Sequence, residues 1–170
     1  MHQQLYYLLN KIVIFVDKTF EMITSILLIF VVFINGMEIF FHSVIGDSLH
    51  WVYEINLLCA NWIYFLGICL VYIKKKDIVV DLIDRLMSEN TKSFYSIVLN
   101  TVIVIMLCII AYQASKLMFI QVKTKTLGLG IPNFYFSMPV FISSIAIILI
   151  LIRDSLEISF DHKIYRQRKK

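Results

Sequence analysis

Charge is scarce in this sequence. Only 16% of its 170 residues are Asp, Glu, Lys or Arg, whereas 59% are hydrophobic, and the mean hydropathy is +0.80. A soluble domain carries about 25% charge, so a water-facing globule is excluded. Cysteine is nearly absent as well, with Cys59, Cys69 and Cys108 each inside an apolar run. No CxxC spacing occurs, which removes a zinc or dithiol framework. Cys59 and Cys69 fall on one expected helix, separated by about 15 Å along its axis, too far to bridge. All three read as small apolar packing residues. The two prolines, Pro132 and Pro139, both fall in one short stretch, TLGLGIPNFYFSMP, together with Gly128 and Gly130.

What is present is long and apolar. A helix crossing a bilayer core needs roughly 20 mostly apolar residues. Four segments qualify, at about 22–45, 51–73, 94–120 and 134–152. A spanning segment must satisfy its own backbone polar groups, which favours helices, and alternating barrel-strand patterns are absent. The expected fold is therefore an all-α membrane protein with four transmembrane helices, in a single membrane domain over residues 1–170.

The basic residues set the expected orientation. Thirteen of the sixteen Lys and Arg precede span one, separate spans two and three, or follow span four. Lys116, Lys123 and Lys125 stand alone on the opposite side. Both termini, including a basic tail at 153–170, are thus expected in the cytoplasm. The loops at 46–50 and 121–133 are expected outside, in the periplasm if the cell has two membranes. The N-terminal stretch LYYLLNKIVIFVDKTF does not read as a cleavable signal, because Lys11, Asp17 and Lys18 interrupt it and no small-residue site follows. Leu5, Leu9, Ile12, Val16 and Phe20 recur at helical spacing, which predicts an amphipathic helix over 5–20 lying along the inner surface. A second, short cytoplasmic amphipathic helix is expected after the lysine run Lys74–Lys76, where Ile78, Leu82, Ile83 and Leu86 alternate with Asp77, Asp81, Asp84 and Arg85. The lysine run itself reads as a topology anchor beside anionic lipid.

Polar groups at membrane depth ask for partners. Asn35, Glu38 and His42 share one face of span one. Glu54 and Asn61 share a face of span two, and Gln113 and Lys116 a face of span three. The three charges Glu38, Glu54 and Lys116 fall toward the outer leaflet, so a cluster of them is expected, with Lys116 paired to one of the two carboxylates. The plainer alternative is that Glu54 and Lys116 reach the interface separately and hydrate. Trp51 and Tyr53 read as interfacial belt residues. Trp62, about 16 Å further along the helix, either fills a gap in the bundle or contacts another membrane subunit.

Several functional classes drop out. There is no glycine-rich phosphate loop, and no histidine pair at mid-membrane to hold haem. No span carries a central carboxylate, since Glu38 and Glu54 are off-centre. No half-helix breaks near the bilayer centre, where a transporter places its substrate site, and no repeat relates the two halves. No cofactor, metal ligand set or catalytic group is expected. A self-sufficient homo-oligomeric transporter or channel, and an electron-transfer anchor, stand as weaker alternatives to an accessory subunit.

Three local patterns carry a resemblance. One is the opening of span two, with Trp51 and Glu54 followed by Trp62, Phe65, Leu66 and Gly67. Another is Ile78, Val79, Val80 and Asp81. The most specific is T-x-x-L-G-I-P, here Thr126, Leu129, Gly130, Ile131 and Pro132, with Pro139 following. On these the chain resembles the small membrane subunit of tripartite ATP-independent periplasmic (TRAP) transporters, the DctQ-like family. It departs where the family often has two adjacent acids, because Tyr53 precedes a single Glu54. The resemblance implies a non-catalytic scaffold in a bacterial inner membrane. Its partners would be a large multi-span subunit that moves substrate by a sodium-driven elevator motion, a periplasmic substrate-binding protein, and membrane lipids. It implies uptake of an organic acid such as a C4-dicarboxylate, sialic acid or another sugar acid. Trp51 and Trp62 would be contacts for the large subunit. Lys123, Lys125, Thr126, Gly130 and Pro132 would form the loop on which the binding protein docks, the lysines steering an acidic patch.

Overall fold

The computed structural model describes residues 2–46, 49–74 and 89–168. Among these residues are four helices: α1 (His2–Ile45), α2 (His50–Ile73), α3 (Glu89–Gln121) and α4 (Phe134–Arg168). Each holds a stretch long and apolar enough to cross a bilayer: Tyr6–Val44, Trp51–Ile73, Val98–Gln121 and Phe134–Ser155. The chain is an all-α, multi-pass membrane protein. The short helix expected between spans two and three lies outside the described residues.

Two helices run further than the spans they contain. α1 is continuous over 44 residues, roughly 66 Å at about 1.5 Å per residue, against a hydrocarbon core of about 30 Å. No break separates the expected surface helix at 5–20 from span one. The sequence offers none, because the first glycine of α1 is Gly36 and no proline precedes it. The apolar stripe of this N-terminal part instead turns into the protein, where Leu9, Val13 and Phe20 are buried. α4 likewise continues through the basic tail to Arg168. Near the end of its apolar stretch, Arg153 is buried and its guanidinium pairs with Asp154, Nε to Oδ1 at 2.8 Å. A buried cation is tolerable because this pairing neutralises it.

α4 is the central element. In its apolar stretch 44% of residues are buried, against 6% in those of α1 and α3. It packs against α1, α2 and α3, whereas α3 leans mainly on α4. The core joins Phe20 of α1, Leu66 and Cys69 of α2, and Ala146, Ile147 and Leu151 of α4. Small residues make the close approach possible: Ser143, Ser144 and Ala146 are all buried on α4, as expected where membrane helices associate through packing rather than hydrophobic expulsion. The Cys69 thiol donates to the Ser143 carbonyl at 3.4 Å, which supports its reading as a packing residue. Outward faces remain apolar, with Ile26, Ile29, Phe33 and Phe40 exposed on α1 and Ile105, Ile109 and Phe119 on α3.

Candidate functional site

The two ends of the bundle differ. At one end Lys74, just beyond α2, donates to Glu21 of α1 at 2.8 Å. That bond, helped by the charges of Glu21 and Asp17, holds the Lys74 ammonium above the ordinary lysine pKa. The pair is exposed, so it orients the helices more than it stabilises them.

The opposite end carries a hydrogen-bonded loop, a hairpin between α3 and α4. Its two limbs meet in an antiparallel bridge between Lys125 and Pro132. Thr126 N–H donates to Ile131 O at 2.9 Å and Asn133 N–H to Thr124 O at 3.0 Å. Side chains repeat the pairing. The Thr126 hydroxyl oxygen accepts from Ile131 N–H at 3.0 Å, and the Asn133 amide donates to Thr124 Oγ1 at 3.1 Å. Ser137 on α4 ties the base by donating to Gln121 of α3 at 2.6 Å. Gly130 has φ +68°, a left-handed conformation that glycine adopts without strain. The spacing T-x-x-L-G-I-P thus has a physical reading: a threonine that closes the hairpin, a glycine that turns it, and a proline that faces Lys125 in the bridge.

Glu54 meets this hairpin from α2. Its Oε1 accepts from Gly128 N–H at 2.7 Å and its Oε2 from Leu129 N–H at 2.9 Å. A Cβ at position 128 would lie 2.9 Å from Oε1, closer than carbon and oxygen tolerate. Gly128 thus allows the close approach of the carboxylate to its N–H, and a side chain there would push the Glu54 carboxylate aside.

Lys116 contacts an aromatic ring. Among the described residues no ion pair joins it to Glu54. Its ammonium lies over the Tyr112 ring, 4.6 Å from the centroid, a cation–π contact one turn back along α3. The reason is topological: α3 leans on α4, and the carboxylate of Glu54 is already engaged by the hairpin. Glu38 is half-buried on α1, and Trp51 is half-buried in the first turn of α2. Lys123 and Lys125 are exposed, while Thr126 and Pro132 are half-buried.

Two internal bonds account for Asn61 and Trp62. The Trp62 indole donates to Tyr135 O at 3.2 Å and the Asn61 amide to Phe136 O at 3.0 Å. Pro139 lies inside α4 and has no N–H to give to the carbonyl four residues earlier, which is that of Tyr135. Trp62 supplies the missing donor. These contacts also place Trp62 level with the first turn of α4, so its depth counted along α2 alone does not describe its place in the bundle. Part of its indole stays uncovered.

The sequence reading did not find Asn56. Asn35 Nδ2 donates to Asn56 Oδ1 at 3.0 Å, and Asn56 Nδ2 to Asn35 Oδ1 at 2.8 Å, a reciprocal clasp between α1 and α2. Asn35 also donates to Val31 O at 2.7 Å. The signal was present, an uncharged amide within an apolar helix, but it does not name its partner. Replacing either asparagine by alanine is expected to cost about 1 kcal/mol, and the double-mutant cycle to show a coupling of about 0.5–1.5 kcal/mol. The check is thermal unfolding of the four variants in one detergent. Strict additivity would contradict the clasp.

The site is thus a hydrogen-bonded hairpin held on the end of a helix bundle whose polar side chains bond to backbone carbonyls and to one another. The sequence model of the family described as "Tripartite ATP-independent periplasmic transporters, DctQ component" matches residues 28–160. No match was found among curated proteins. The matched segment takes in the Asn35–Asn56 clasp, Glu54, the hairpin and Pro139, and covers well over half of the chain. The chain belongs to the DctQ family, the small membrane component of TRAP transporters.

Proposed function

We propose that the chain is a non-catalytic brace of its transporter. It sits in the bacterial inner membrane with both termini in the cytoplasm. It holds still the stationary part of a large elevator-type subunit during sodium-driven uptake of an organic acid. The substrate, a C4-dicarboxylate, sialic acid or another sugar acid, arrives on a periplasmic binding protein, which sets the choice. The observation that carries this reading is the use of the polar residues within the spans. Asn35, Asn56, Asn61 and Trp62 bond within the chain, and the outward faces are apolar. Such a bundle suits packing against lipid and another apolar protein surface. Trp51 and the uncovered part of Trp62 are the proposed contacts with the large subunit. Lys123 and Lys125, presented by the Thr126–Pro132 hairpin, are the proposed docking charges for the binding protein.

Affinity purification of the tagged chain from its own membranes in mild detergent is the first test. A long multi-span membrane protein is expected to co-purify in fixed ratio. Recovery of the chain alone, or only as a homo-oligomer, would contradict the brace.

A further inference from the structure

We propose that Glu54 is the positioning residue of the docking hairpin: its carboxylate fixes the hairpin tip, and through it the lysines, in the orientation that the binding protein meets. The inference rests on the reading that this hairpin faces the binding protein.

The limbs of the hairpin hold each other, and its base is tied to α3 and α4. Its tip, residues 127–130, is a tight turn. What reaches it is Glu54, anchored on α2 and bonded through separate oxygens to the successive N–H groups of Gly128 and Leu129. Two charge-assisted bonds to two oxygens define an orientation as well as a distance. The Thr126 hydroxyl lies beside the same carboxylate, so the limb that carries Lys125 shares the clamp. The fit is reciprocal, because a Cβ at position 128 would displace Oε1 from this position.

The clamp also explains what the tip displays. Leu127 is fully exposed and Leu129 is partly so, on a loop whose entering limb carries Lys123 and Lys125. A free loop would fold these leucines back onto apolar surface. Held outward, they fit a partner with a small apolar patch rimmed by carboxylates.

The test uses the assembled transporter in proteoliposomes, with Glu54→Gln and, separately, Gly128→Ala. The second variant reaches the same clamp from an exposed loop and leaves the bundle untouched, so a folding defect in the first does not confound the result. A spin label at Leu127→Cys, in a Cys108→Ser background, reports tip mobility; Cys59 and Cys69 are buried. Both variants are expected to mobilise the label. The binding-protein concentration giving half-maximal uptake should rise about tenfold, with the maximal rate at saturating binding protein within about twofold of the parent. The double variant should be no worse than either single one, as expected of two partners in one contact. An unchanged label in Glu54→Gln overturns the proposal, as does a loss confined to the maximal rate. The variant Lys123→Glu/Lys125→Glu separates the two readings. If it leaves half-saturation unchanged while Glu54→Gln still frees the label, the clamp stands and the docking role of the hairpin falls.

Discussion

Trp62→Phe is expected to destabilise the bundle by about 1–2 kcal/mol, and Pro139→Ala is expected to abolish most of that cost. The argument starts from a missing atom. Proline has no N–H, so the carbonyl of Tyr135 loses its partner within α4. The Trp62 indole N–H fills the position at 3.2 Å, while Asn61 serves the neighbouring carbonyl of Phe136 at 3.0 Å. Phenylalanine keeps most of the ring and removes the donor, which isolates the hydrogen bond from the packing. Cross-helix polar contacts in membranes average about 0.6 kcal/mol, because the separated helices find other partners. A carbonyl orphaned by proline finds none within its own helix, so the upper part of that range applies. Alanine at position 139 restores the N–H, closes the bond inside α4 and makes the indole dispensable. Thermal unfolding of the four variants in nanodiscs measures this, with an expected coupling of about 1 kcal/mol. A Trp62→Phe cost that is the same with proline or alanine at position 139 would show that the indole acts through packing alone.

The four spans were legible because hydropathy and length decide them locally. The stretches at 51–73 and 134–152 begin where α2 and α4 present their apolar residues, at Trp51 and Phe134. The limits of α1 and α4 were less legible. A helix in lipid or in water stops only where something stops it, and no glycine or proline stands between His2 and Asn35. The amphipathic stripe around Leu9 and Phe20 was visible, but periodicity does not say whether a stripe faces lipid or protein. At the site, the hairpin could be read from Gly128, Gly130 and Pro132, and Glu54 stood out as a charge within an apolar run. Their meeting could not be read, because it depends on how α2 is staggered against α4. The same limit applies to Lys116. Charge alone suggested a carboxylate partner and gave no sign of the ring of Tyr112 over which the ammonium lies. Trp62 and Pro139 show the one long-range contact that elementary chemistry could have anticipated. A proline within a membrane helix calls for an outside donor, and an indole on a neighbouring helix is one.

The largest effect expected is all or none. A brace does nothing alone, and a moving subunit without its brace does nothing useful. The decisive measurement is solute accumulation in proteoliposomes of defined content, with sodium, the binding protein and candidate organic acids supplied outside. Vesicles holding only this chain are expected to match empty ones, and so are vesicles holding only its large partner. Vesicles holding both, with binding protein and an inward sodium gradient, are expected to accumulate the acid. Accumulation by the purified 170-residue chain with no partner present would contradict the account.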